Sequence, residues 1–349
     1  MEFDPQTARL RCPYCSTTTA IPDGAAAAPV VELDYEAFAA KAREAALSRI
    51  SEQAVEAACA CCGAVVQFEP PLVAGACAFC GAGIVSQPKS ADPLVAPQAV
   101  LPFGIVKPQA AANVRQWLAS RWFAPNDLKR LARPDGLDGV YLPFWTFDAV
   151  AGTNYIGQRG EHYWVEESYT AYEDGRQVSR TRQVRRTRWY PTAGSVRNEF
   201  DDLLVPGTRA VNRKRLLELE PWRLEALTAY QPSYLAGFKA QRYQVDIPDA
   251  FESAREMMTP AIRETVRADI GGDEQRIFHL STRFSDVTFK HLLLPVWIGA
   301  YHYRGKLYQL VVNARTGEVQ GERPYSAAKI LLLAAAIIIA VIILSVISR

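Results

Sequence analysis

Four cysteines set the first chemistry. Cys59-Ala-Cys61-Cys62 is followed, after fourteen residues that begin with Gly63, by Cys77-Ala-Phe79-Cys80-Gly81, a Cys-x2-Cys-x14-Cys-x2-Cys spacing. A Cys-x-x-Cys turn aims two thiolates at one ion, and the glycine after each pair permits the tight backbone whose amides approach the sulfurs. Two facing pairs complete a tetrahedral sphere and leave no position for water or substrate. Cys59, Cys62, Cys77 and Cys80 are therefore candidate ligands of one structural Zn2+ ion, and Cys61 is left as a free thiol. Redox dithiol chemistry, the competing use of such pairs, wants a single pair in a βαβ setting. Cys12-Pro-Tyr-Cys15 is a third pair with no fourth beside it. Three explanations stand: metal shared with another chain, a metal lost, or an internal start at Met1 with a preceding pair missing. The last is favoured, because the residues before Cys12 read as a strand leading into the second half of a ribbon. Cys12 and Cys15 thus join the metal candidates as an incomplete second site.

A second cluster is basic. Arg180, Arg182, Arg185, Arg186 and Arg188 crowd one short segment with Tyr and Trp nearby, a composition that suits anionic ligands such as nucleic-acid phosphates or anionic lipid. Asp174-Gly175 offers a competing account, being a two-residue hairpin turn signal. With these as the turn, cross-strand partners have numbers summing to 349. Glu167 then meets Arg182, Tyr169 meets Arg180, Tyr163 meets Arg186, Glu161 meets Arg188 and Val165 meets Val184. Opposite charges and arginines over aromatic rings on one face specify a hairpin. The structural account is favoured, and anionic-ligand binding is kept as the alternative.

No catalytic constellation accompanies these clusters. The chain has no Gly-x4-Gly-Lys-Ser/Thr phosphate loop, Gly-x-Gly-x-x-Gly, Gly-x-Ser-x-Gly elbow or His-Glu-x-x-His helix. His162, His279, His291 and His302 are scattered over expected strands, where packing is the commoner role. Asp201-Asp202 is a possible cation site, but a strand-start turn is the blander account. No catalytic residue is assigned, and the chain reads as non-enzymatic.

The elements that must position these groups follow from pattern. With 349 residues, 49% of them hydrophobic, the chain can build a sizeable core, and 39 basic against 37 acidic residues demand no polyanionic partner overall. The start, Met-Glu-Phe-Asp-Pro-Gln, lacks the features of a secretory signal. From Ile330 to Ile347 the chain is Ile, Leu, Val and Ala broken only by Ser345, a helix of about 27 Å that matches a bilayer core. Lys329 and Arg349 flank it. A single-pass C-terminal anchor results, and cysteine pairs suited to a reducing compartment put the bulk of the protein in the cytoplasm. The expected organisation is a partial zinc-ribbon knuckle at 1–30, a helical spacer at 31–58, a zinc ribbon at 59–86, a linker at 87–98, an α+β domain at 99–326 and the anchor at 327–349. Within the α+β domain the pattern predicts a strand at Val100 to Val106 and helices from Lys107-Pro108 to Trp122, Arg213 to Leu219, Trp222 to Tyr230 and Asp249 to Asp269. It closes on a meander, Leu293 to Tyr303, Lys306 to Asn313 and Glu318 to Arg323. Leu142-Pro143-Phe144-Trp145 and Leu294-Pro295-Val296-Trp297 are a faint internal echo.

The order of knuckles, Leu101-Pro102-Phe103, Trp122-Phe123-Ala124-Pro125-Asn126, Tyr141-Leu142-Pro143-Phe144-Trp145-Thr146-Phe147-Asp148-Ala149, Phe200-Asp201-Asp202, Leu219-Glu220-Pro221-Trp222, Leu235-Ala236-Gly237-Phe238, Leu294-Pro295-Val296-Trp297 and a final apolar helix resembles a family of bacterial zinc-ribbon membrane proteins. Members are often labelled TFIIB-type zinc finger or primosomal protein N′ (replication factor Y)-like, although the motor motifs of a helicase are missing from this chain. The resemblance implies a membrane adaptor or scaffold in envelope organisation or stress, with flotillin-like SPFH proteins or phage shock protein A as partners. The alternative is a membrane-tethered nucleic-acid binder linked to replication or transcription. The incomplete first ribbon departs from the family pattern and puts a second zinc ion in doubt.

Overall fold

Period-two alternation dominates this chain, and three very long strands result. The computed structural model describes residues 1–21, 30–42, 55–58, 65–68, 74–76, 79, 83–85, 95–125, 136–173 and 176–347. The N-terminal segment forms a small antiparallel sheet of β1 (Glu2–Asp4), β2 (Arg9–Arg11) and β3 (Thr18–Thr19), then β4 (Leu33–Asp34) and helix α1 (Tyr35–Ala42), which Asp34 caps through the Ala37 amide. Two short hairpins follow: β5 (Val55–Ala58) with β6 (Val65–Phe68), and β7 (Ala74–Ala76) with β8 (Gly83–Val85). The body contains β9 (Ala99–Val100), α2 (Lys107–Ser120), β10 (Asp138–Glu173), β11 (Arg176–Pro206), α3 (Arg213–Leu217), β12 (Thr228–Ala229), β13 (Lys239–Ala240), α4 (Ile247–Ile270), β14 (Glu274–Tyr303), β15 (Lys306–Asn313) and β16 (Val319–Gly321). Helix α5 (Ala327–Ile347) closes the chain.

One sheet carries the fold, its main path β11-β10-β14-β15-β16 antiparallel throughout, with β4 antiparallel and β9 parallel to β14, β13 parallel to β10, and β12 paired to β9. Its body half is buried on both faces. Leu142, Phe144, Leu292, Leu294 and Val296 pack with Leu216, Leu219 and Trp222, while Tyr141, Leu293, Trp297 and Val312 meet Phe103, Val114 and Trp117. Helix α4 covers the next stretch of sheet. Its buried residues Ile247, Ala250, Ala254, Met258, Ile262, Val266 and Ile270 recur every three or four positions, the spacing of one helical face. Asp246 caps its first turn, and Gly271, at φ 66°, ends it. Beneath it Ala151, Thr153, Tyr155 and Gly157 alternate inward, Tyr155 packing with Val266 and Ile270 of its last turns. A side chain at Gly157 would strike the Arg276 carbonyl, so the close strand pairing there requires glycine.

Beyond Gly160↔Glu274 the third strand stops pairing, and β10 and β11 continue as a two-stranded arm. Thirteen successive pairs, from Glu161↔Arg188 to Glu173↔Arg176, make it about 40 Å long at roughly 3.3 Å per residue.

Several expectations are corrected here. Among the described residues of the 31–58 spacer, Tyr35–Ala42 is helical and Val55–Ala58 is a strand paired with Val65–Phe68. The 87–98 linker ends inside the body, where Val95 is buried and Gln98 bonds the His291 backbone in both directions. The strand expected over Val100 to Val106 keeps ladder pairing only at Ala99–Val100. Pro102 brings no amide donor, although Leu101, Phe103 and Ile105 remain buried. The helix expected over Trp222 to Tyr230 is a single 3-10 turn, Leu224–Ala226, because Arg223 is left-handed at φ 53° and Thr228–Ala229 pairs with β9 instead. The closing meander forms through a tight Arg304-Gly305 turn, both residues at positive φ.

Candidate functional site

The arginine segment lies on the arm, in the register that sums to 349. Glu167 accepts hydrogen bonds from Arg186 and from Arg182 (3.4 Å), and burial-free pairing of this kind holds its carboxyl below the usual range. The Arg182 guanidinium lies 5.5 Å from the Tyr169 ring centroid and that of Arg188 lies 4.9 Å from Tyr163. At the arm's base, His162 Nε2 is 2.8 Å from Glu274 Oε1, which also accepts from the Thr187 hydroxyl at 2.9 Å. Arg182, Arg186 and Arg188 thus engage partners on their own ladder while their side chains stay exposed. Trp164, Tyr169 and Tyr172 remain exposed beside it.

The ligand candidates Cys59, Cys62, Cys77 and Cys80, and the free thiol Cys61, lie outside the described residues. What is described brackets them: Ala58 pairs with Val65, and Ala76 with Gly83, so each cysteine pair falls in the chain between two antiparallel strands. Phe79, between Cys77 and Cys80, is only 2% exposed and enters the cluster of Leu219, Trp222, Leu292 and Val311; its carbonyl accepts from Gln309 Nε2 at 3.3 Å. Cys12 and Cys15 sit at the β2–β3 turn as free thiols. The Cys12 amide bonds the Thr17 carbonyl and the Ser16 amide bonds the Cys12 carbonyl, which draws the pair together. Hydrogen bonds from Thr17, and then from Cys12, lower the Cys15 thiol to about 7.

Sequence reasoning set aside Asp201-Asp202 and missed what surrounds it. At this point β11 bulges, with Asp202 at φ 48°, and the register opposite Asp148 shifts on both sides. Asp148, Asp201 and Asp202 bring carboxylate oxygens within 4.8 Å of one another. The buried Lys290 ammonium sits 2.6 Å from Asp202 Oδ1 and 2.9 Å from Glu32 Oε1, while the Thr288 hydroxyl lies 2.8 Å from Glu32 and 3.1 Å from Asp148, with one proton to serve both contacts. Burial, and a proton shared with Glu32, push Asp148 up to about 6; the Lys290 ammonium draws Glu32 down to about 2. Lys290 supplies the cation that this acidic group needs. Two residues of the cluster, Glu32 and Lys290, come from segments that no local pattern connects.

His291 is fully buried between Trp145 and Tyr243, with Nδ1 2.8 Å from the Val95 carbonyl, and burial lowers it to about 4. It is a neutral packing residue at neutral pH.

The last surface is the foot of α5. The Ser326 amide donates to the Phe123 carbonyl at 2.8 Å, and Lys329 Nζ to the carbonyls of Trp122 (2.9 Å) and Ala124 (2.8 Å). From Ala327 to Ser345 the helix is long and apolar enough to cross a membrane and is not buried against the described chain. The class so defined is an α+β protein with antiparallel sheets and one C-terminal apolar helix compatible with a membrane anchor.

Among known proteins the chain is similar to Bacillus subtilis (strain 168) YdjG, described as an uncharacterized protein. They are 26% identical over 239 residues, 68% of this chain and 66% of that protein, so the match spans just under two thirds of the relative. No family model matches the chain, and no solved structure does.

Proposed function

We propose that this protein is a non-enzymatic adaptor, held at the cytoplasmic membrane by its single C-terminal helix and recruiting protein partners on the cytoplasmic side, with a zinc ribbon docked on its body. The observation that carries this reading is the arm. A two-stranded ladder of thirteen pairs leaves the body and presents exposed Trp164, Tyr169 and Tyr172 beside arginines. Tyrosine, tryptophan and arginine are the side chains that most often dominate protein interfaces. The family resemblance points to flotillin-like SPFH proteins or phage shock protein A as partners in envelope organisation or stress.

Replacing residues 161–188 by an Asn-Gly turn shortens the arm while leaving the α4-covered sheet intact. Affinity capture of the detergent-solubilised full chain from its own cells, followed by mass spectrometry, should recover protein partners that the shortened variant loses. Both forms should fractionate with membranes, and removal of residues 327–349 should release the chain from them. Partners retained in full by the shortened variant would refute the arm as the recruiting surface. The same exposed arginine-aromatic composition favours one second reading, a membrane-tethered nucleic-acid binder, whose mark is nuclease-sensitive material in the eluate and binding that falls steeply with salt.

A further inference from the structure

At the foot of α5, helix α2 and the β15–β16 edge border an open pocket of about 440 Å³ whose lining includes Trp117, Arg121, Tyr308, Glu322, Arg323 and Tyr325. Its chemistry is one-sided. Trp117 Nε1, Arg121 Nε and Arg323 Nε are buried donors, and none finds an acceptor among the described residues. Trp117 itself is only 9% exposed. Buried donors are rarely left unpaired, and three lining one pocket call for a common acceptor. Tryptophan and arginine side chains can only donate, so nothing within the trio can satisfy another member.

The charges point the same way. The guanidinium carbons of Arg121 and Arg323 lie 4.9 and 5.9 Å from the same Trp117 ring centroid, two cations against one indole. The single carboxylate in the lining, Glu322, is committed elsewhere, with Oε1 2.6 Å from Arg215. The lining therefore suits an anion with several acceptor oxygens, which is the form of a phosphate.

Position selects the source. Tyr325 precedes the first residue of α5 by two positions, and the contacts of Ser326 and Lys329 clamp the Trp122–Ala124 loop to the helix's first turn. Trp122 and Tyr325 are 60% and 62% exposed there, the placement of aromatic side chains at a membrane–water interface. Lipid phosphates lie at that depth. We propose that this pocket binds the phosphate diester of an anionic membrane lipid, with Trp117, Arg121 and Arg323 donating to its oxygens. Two guanidiniums disfavour a headgroup that also carries a cation. The inference rests on the membrane-anchor reading.

The test uses the full chain reconstituted into vesicles of mixed phosphatidylglycerol and phosphatidylcholine, released in mild detergent and weighed by native mass spectrometry. Wild type should retain one phosphatidylglycerol in preference to phosphatidylcholine. R121Q/R323Q should float with vesicles as wild type does yet retain that lipid about tenfold less or weaker, since charge-assisted hydrogen bonds are lost. Trp117→Phe, which removes the indole donor while keeping a smaller aromatic ring, should lose retention in part. Equal retention by wild type and R121Q/R323Q, or equal retention of both lipids, overturns the proposal. Complete displacement of the lipid by inorganic phosphate assigns the pocket to a free phosphate ion and overturns the lipid source. Failure of wild type to float with vesicles overturns the anchor reading itself, a separate outcome.

Discussion

Lys290 and Asp202 meet at 2.6 Å across two strands that do not pair with each other, the ammonium of one neutralising the bulge formed by the other. The Lys290 side chain is 9% exposed, and its partners Glu32 and Asp202 are 40% and 36% exposed. Removing one member of a buried ion pair costs about 3–5 kcal/mol, and solvent reaching the carboxylates reduces this. Lys290→Met should therefore destabilise the protein by about 2–3 kcal/mol in denaturant titration at neutral pH, with a smaller loss at acid pH, where the freed carboxylates protonate. An unchanged midpoint would mean that the cluster does not hold the sheet.

Asp148 gives the same cluster a pH signature. Its folded pKa of about 6 lies above the ordinary 3.8, so between these values the folded chain keeps a proton that the unfolded chain releases, and stability falls as pH rises through that window. Glu32 has the opposite sign. Held at about 2 against 4.5, it contributes stability above pH 4.5 that is lost as pH falls toward 2. Asp148→Asn should flatten the dependence of the melting temperature between pH 4 and 6 and leave the acid limb in place. Identical slopes for the two proteins between pH 4 and 6 would contradict this assignment.

Phe79 ties the proposed ribbon to the body. Phe79→Ala should cost about 3–5 kcal/mol, the range for deleting a buried phenyl ring. Elemental analysis should find zinc that Cys59→Ser and Cys77→Ser remove. A chelator should lower the wild-type melting temperature more than that of Phe79→Ala, in which the knuckle is already unseated. A protein free of zinc would sink the ribbon reading.

The arm's ion pairs are exposed and individually small. Glu167→Ala should leave the global melting temperature unchanged while speeding amide exchange over residues 161–188 only severalfold, because solvent screens these exposed pairs. Exchange in the α4-covered sheet serves as the internal control.

The arm was legible because its determinants are local. Asp174-Gly175 and the period-two placement of charges and rings set a register that holds from Glu173↔Arg176 down to Ala149↔Phe200. It changes by one residue only past the Asp202 bulge, which no cross-strand pattern announces. Helix α4 and the apolar α5 were legible for the same reason, each carrying its signal within its own span. The Trp222 segment was not, since its strand at Thr228–Ala229 exists only because Ala99–Val100 lies opposite. The lysine cluster and the Trp117 pocket draw on residues 32, 148, 202 and 290, and on 117, 121 and 323, which the fold alone brings together. The cysteine spacing speaks for zinc by sequence alone.

A ladder with one register from Ala149 to Glu173 behaves as a ruler whose smallest division is two residues on each strand. One residue added to a single strand would turn every outer side chain to the opposite face and separate Glu167 from Arg182 and Arg186. Relatives of this protein should therefore differ in arm length by matched dipeptide steps, each moving the tip by about 7 Å. Reach is then inherited as a discrete quantity, which a partner at a fixed distance can select.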